Sequence, residues 1–80
     1  MATLERLAEA LGADVMKAMD ETGDERLFVE VAEIIGAASQ TLEEAFLTDV
    51  RVRLAERKAR AHLVQKVKEH RNGKTRTPGA

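Results

Sequence analysis

Apolar side chains recur every three or four positions along most of this chain, a spacing that an α-helix gathers into one buried stripe. In the first segment Leu4, Leu7, Ala8, Leu11, Val15, Ala18 and Met19 fall on such a stripe, which predicts a helix over about 3–20. Gly12 lies inside it at a cost of about 1 kcal/mol relative to alanine, and is read as a kink or a boundary. The acidic stretch around Gly23 is a turn. Thr22 and Glu25, three positions apart, have the capping-box form, so a second helix is expected over about 24–38, presenting Leu27, Phe28, Val31, Ile34, Ile35 and Ala38. Thr41 and Glu44 repeat the capping spacing and open a third helix over about 41–71.

The third helix changes character along its length. It begins with Leu42, Phe46, Leu47, Val50 and Leu54, but beyond Leu54 the stripe degrades: Ala61, Val64 and Val67 drift around the cylinder while Arg53, Arg57 and Arg60 share a face. Its first half is therefore assigned to the core and its second half to projection or to a partner. Residues 73–80 have no periodicity and are expected to be flexible. The expected fold is all-α: one domain over 1–72, a three-helix hairpin or bundle with a long basic third helix and a disordered C-terminal tail.

Such a core is thin. Hydrophobic residues are 44% of the 80, yet thirteen of them are alanine and only Phe28 and Phe46 are aromatic. Chains of this size bury about 60% of their unfolded surface, so regular packing or a second chain has to complete the interior. Leu7, Leu11, Val15, Val31, Ile35, Phe46, Val50 and Leu54 are the residues assigned to the core or a dimer interface.

Several functional classes drop out. Without cysteine there is no disulfide scaffold, thiol nucleophile or cysteine-based zinc site. No apolar run approaches the ~18 residues of a membrane span, and Glu5 stands where a signal peptide carries positive charge, so the expected location is cytoplasmic, without membrane insertion. His62 and His70 are eight residues apart, roughly 12 Å along one helix and on different faces, and cannot share a metal. The pairs Glu5/Glu9 and Glu30/Glu33 lack the Glu-x-x-His spacing of a di-metal bundle. The Asp20, Glu21, Asp24, Glu25 cluster lacks the spacing of a calcium loop. Ser39 has no Gly-x-Ser-x-Gly context, and there is no glycine-rich phosphate loop. The expectation is a protein that is not an enzyme and has no metal, cofactor or small-molecule substrate.

Charge is divided along the chain. Residues 1–50 carry three basic and twelve acidic side chains, net −9, whereas residues 51–80 carry ten basic and two acidic, net +8. Such a division suits an anionic partner for the basic half, or packing of the two halves against each other within a chain or a dimer.

Two segments share a frame: Leu7-Ala8-Glu9-Ala10-Leu11-Gly12-Ala13 and, 24 residues later, Val31-Ala32-Glu33-Ile34-Ile35-Gly36-Ala37. Shared helix-end chemistry accounts for it, a small residue for close packing and then a glycine where positive φ is wanted. Residues 31–46, Val-Ala-Glu-Ile-Ile-Gly-Ala-Ala-Ser-Gln-Thr-Leu-Glu-Glu-Ala-Phe, also resemble the helix-turn-helix of bacterial repressors and sigma-factor region 4. The resemblance puts Ala32 at the helix contact, Gly36 at the turn, and Leu42 and Phe46 under the second helix. It implies DNA binding, but Glu43 and Glu44 stand where the recognition helix should face the major groove, and carboxylates there repel phosphate.

Two functions follow. The first is a small non-enzymatic interaction or regulatory protein that homodimerises through apolar helix faces and meets a partner protein through charged surfaces. The second is a small nucleic-acid-binding regulator that grips phosphates with its basic C-terminal helix. For either, the contact residues are Arg53, Arg57, Lys58, Arg60, Lys66, Lys68 and Arg71. No stacking aromatics or base-edge readers accompany them, so nucleic-acid binding would depend weakly on base sequence.

Overall fold

The computed structural model describes residues 2–76, with side chains over 3–73, and within those bounds the chain is three helices: α1 (Ala2–Thr22), α2 (Leu27–Ala38) and α3 (Gln40–Arg76). There is no strand among the described residues. The N-terminal part of α3 packs against both α1 and α2, and the two shorter helices also touch. Phe46 and Val50, one turn apart on α3, are fully buried. Val15 and Met16 of α1 and Ala32 of α2 close around them, with Leu11, Met19, Phe28, Val31, Ile35, Leu47 and Leu54 packed outside.

The buried face of α1 is Ala8, Gly12, Val15 and Met16. At about 100° per residue this face is rotated by roughly 70° from the stripe that the large apolar residues mark out. Leu7, assigned to the core from its spacing, is accordingly 56% exposed, and Met16, absent from that stripe, is buried. The physical reason is close approach. A Cβ on Gly12 would overlap the Asp49 carboxylate, with Cγ at 2.9 Å, so α3 crosses α1 over its small residues rather than over its leucines. Gly12 is neither kink nor boundary; α1 runs through it.

Gly36 does the same for α2. A Cβ there would lie 2.7 Å from Glu43 Cδ. Each copy of the shared frame thus supplies a buried alanine, Ala8 or Ala32, and a glycine over which a carboxylate of α3 lies. The positive-φ explanation fails for both, since among the described residues the positive-φ glycine is Gly23, at 73°. Its N–H donates to Met19 O at 2.8 Å and closes α1.

The connections differ from the capping expectations. Thr22 ends α1, its Oγ1 donating to Ala18 O at 2.8 Å, and Asp24 Oδ1 accepts the Arg26 N–H at 3.0 Å. This Asx-type turn consumes residues 23–26, so α2 starts at Leu27 without a side-chain cap. Between α2 and α3 stands a single extended residue, Ser39, whose Oγ accepts the Leu42 N–H at 3.1 Å. Ser39 is the N-cap, and Thr41 lies inside the helix. The link is shorter than the three or four residues of a helix-turn-helix, and Gly36 is helical rather than at the turn.

Beyond Leu54 every residue of α3 with a described side chain is exposed. The helix passes through Gly73 to Arg76, four residues into the segment expected to be flexible; the rest of that segment, 77–80, lies outside the described residues. This arm gives the molecule extents of 64 × 28 × 14 Å and a radius of gyration of 18.3 Å, against about 12 Å for a compact chain of this length.

Candidate interaction surface

The arginines expected to form an open cationic face are engaged by carboxylates of their own chain. Arg53 Nε donates to Asp49 Oδ2 at 2.6 Å, and its Nη2 reaches the Glu9 carbonyl at 3.2 Å, tying α3 to α1 beside Gly12. Arg57 holds Asp20 at the end of α1 through two bonds of 2.8 and 2.9 Å. This bidentate pair holds the Asp20 carboxyl below the usual carboxylate range and raises Arg57, the hydrogen bonds being the main cause of both shifts. Arg60 pairs with Glu56 one turn away at 2.6 Å, and Lys66 lies 3.8 Å from Glu69. Arg53 and Arg57 are therefore bundle ties before they are anything else. All four pairs lie at or near the surface, where such contacts are worth at most about 1 kcal/mol and exchange readily.

Lys58, Arg60, Lys66, Lys68 and Arg71 all lie on the exposed arm. The structure thus separates the seven expected contact residues into two at the bundle and five on the projecting helix. Of the expected core or interface residues, Val15, Phe46 and Val50 are buried, and Leu11, Val31, Ile35 and Leu54 are half-buried against them.

Two features escaped the reading from sequence. The first is an open groove of about 500 Å³ between α1 and the start of α3, lined by Glu5, Ala8, Glu9, Glu44, Ala45, Thr48, Asp49 and Val52. Its floor is apolar and its rim is acidic. Glu9 and Glu44 have no cationic side-chain partner among the described residues. The second is an exposed stripe that leaves the groove along α3. Val52 is 62% exposed and Leu63 60%, and Val67 continues the line. Helix geometry puts Ala45, Val52, Ala59, Leu63, Val67 and His70 within an arc of roughly 100°. The signal was present as the spacings of 7, 7, 4, 4 and 3 from Ala45. It is obscured because Glu56 and two alanines dilute it, and because the same helix carries a denser core stripe of Leu42, Phe46, Leu47, Val50 and Leu54.

Ile34 on α2 is also exposed, at 74%, although the spacing had placed it inward. Among the described residues no three histidines or carboxylates converge as a metal site, and no described helix is long and apolar enough to cross a membrane. No family model, curated protein or solved structure matches the chain.

Proposed function

We propose that this protein is a non-catalytic helical interaction module, which self-associates through an apolar helix face and meets a protein partner through the charged surfaces flanking it. The observation that carries this reading is the α3 arm. From Lys58, just past the Arg57–Asp20 tie, to Gly73 a helix stands clear of the bundle with Leu63, Val64 and Val67 exposed. Isolated helices are marginal in water unless an apolar face is packed, and a contiguous apolar strip on a small domain marks a contact surface. The steric fit and opposite charges of two helices suffice for such a role.

Nucleic-acid binding by the same arm is the second reading, favoured by its excess of lysine and arginine. Against it stand the internal carboxylate partners of Arg53, Arg57 and Arg60 and the acidic start of α3. Light scattering tests the self-association, and DNA titration separates the two readings. Association in solution without nucleic acid supports the module, and a monomeric mass up to millimolar concentration overturns it. Titration with duplex DNA completes the comparison. Phosphate contact by six or more basic residues requires about a thousandfold loss of affinity between 50 and 200 mM salt.

A further inference from the structure

The groove and the arm are complementary, and both lie on one face of α3. At the groove end the apolar floor of Ala8, Ala45 and Val52 is rimmed by Glu5 and Glu9 on the α1 side and by Glu44 on the other. At the arm end the stripe of Leu63 and Val67 is flanked by Lys66 on one side and by Arg60 and Arg71 on the other. One chain cannot join them, because α3 is a single unbroken helix and its two ends are held apart by about 1.5 Å per residue. A second copy can.

We infer that the occupant of the groove is the α3 arm of a second copy of this chain, the two α3 helices packing antiparallel about a two-fold axis between Arg57 and Lys58. The inference rests on the self-association reading above and names its partner, polarity and register. The register comes from the stripe. About that axis Val52 of one copy meets Leu63 of the other, Ala59 meets Glu56, Thr48 meets Val67, and Ala45 meets His70. The two large apolar residues exposed on the arm's stripe, Leu63 and Val67, each gain a partner on the groove, Val52 and Thr48, and by symmetry this happens twice, as an isologous interface requires. An antiparallel two-fold also brings like sides of the stripe together. Lys66 enters on the Glu44 side of the groove, about 7.5 Å from it along the axis and within reach of two long side chains, and Arg60 and Arg71 enter on the side of the α1 rim of Glu5 and Glu9. A parallel pairing would instead stack acidic groove on acidic groove and basic arm on basic arm, and the division of −9 and +8 between residues 1–50 and 51–80 opposes it.

Cysteine cross-linking tests this, because the chain contains no cysteine and Val52 and Leu63 are both exposed, so substitution at either leaves the core intact. Full-length Val52→Cys and Leu63→Cys chains are mixed and oxidised, and each is also oxidised alone. The antiparallel register predicts a doubled mass on a non-reducing gel for the mixture only. Identical positions would lie about 16 Å apart along the axis, beyond the roughly 7 Å Cα separation that a disulfide spans. Cross-linking of Leu63→Cys alone overturns the polarity. A dimeric mass by light scattering with no cross-link in the mixture overturns the register while leaving self-association standing, and a monomeric mass throughout overturns both. A charge exchange tests the seating in the groove. Glu44→Lys is expected to weaken dimerisation several-fold and Lys66→Glu on the same chain to restore part of the loss. An unchanged affinity in Glu44→Lys overturns it.

Discussion

At the scale of single residues, this fold depends as much on what is missing at two glycines as on the side chains that fill the core. Ordinarily Gly→Ala inside a helix adds about 1 kcal/mol. Gly36→Ala is expected to be neutral or stabilising, because the Glu43 side chain over it is flexible, has no ion-pair partner among the described residues, and can swing aside. Gly12→Ala is expected to destabilise by about 1 kcal/mol, since Asp49 is held in place by Arg53. Urea unfolding checks both, and removing the obstruction with Asp49→Ala should turn Gly12→Ala stabilising. Phe46→Ala should cost about 3–5 kcal/mol and threaten folding, whereas Leu7→Ala should stay within about 0.5 kcal/mol; equal losses at the two sites would contradict the burial pattern. The Asp20 carboxyl, lowered by Arg57, contributes stability above its unfolded-state pKa, and that contribution disappears as pH falls through the folded value. NMR titration should therefore show Asp20 returning toward the usual carboxylate range, near 4, in Arg57→Gln.

At the scale of elements, three helices were legible from periodicity because each carries enough large apolar side chains to bury one face. Their junctions were less so. The pairs Thr22/Glu25 and Thr41/Glu44 both fit a capping box, yet α2 starts without a side-chain cap after a turn closed by Asp24, and Ser39 caps α3, because a cap is selected by where the chain must turn to pack and not by spacing alone. The far end of α3 posed the opposite problem. Local helix propensity carries it through Gly73, a position where no Cβ is needed for packing and none would clash. Little but one-turn pairs such as Glu56–Arg60 supports the arm in a single chain. Its amides from about residue 62 onward should exchange quickly at high dilution, while those around Phe46 are protected, and association should slow the arm's exchange. Arm protection independent of concentration would mean that the helix does not need a partner.

At the scale of the whole molecule, a bundle with one arm almost as long as the rest of the structure leaves an apolar strip exposed and keeps the acidic and basic halves of the chain largely apart. Association driven by charge and apolar surface together should weaken as salt rises from 0.05 to 0.5 M, because screening shortens the reach of the charges, but should persist through the apolar stripe. A dilution series in light scattering reads this directly; association that strengthens with salt would assign it to apolar burial alone. The number of helices, the core at Val15, Phe46 and Val50, and the acidic–basic division were determined by the sequence itself, because periodicity, side-chain volume and charge are properties of the chain. Which side of α1 turns inward, which arginines are engaged, and that Ala8, Ala45 and Val52 form the floor of one groove were decided only by the tertiary structure. Helix periodicity specifies that a face is buried, while the angle of that face is set by where a neighbouring backbone can approach most closely, here over the small residues Ala8 and Gly12 and not over Leu7.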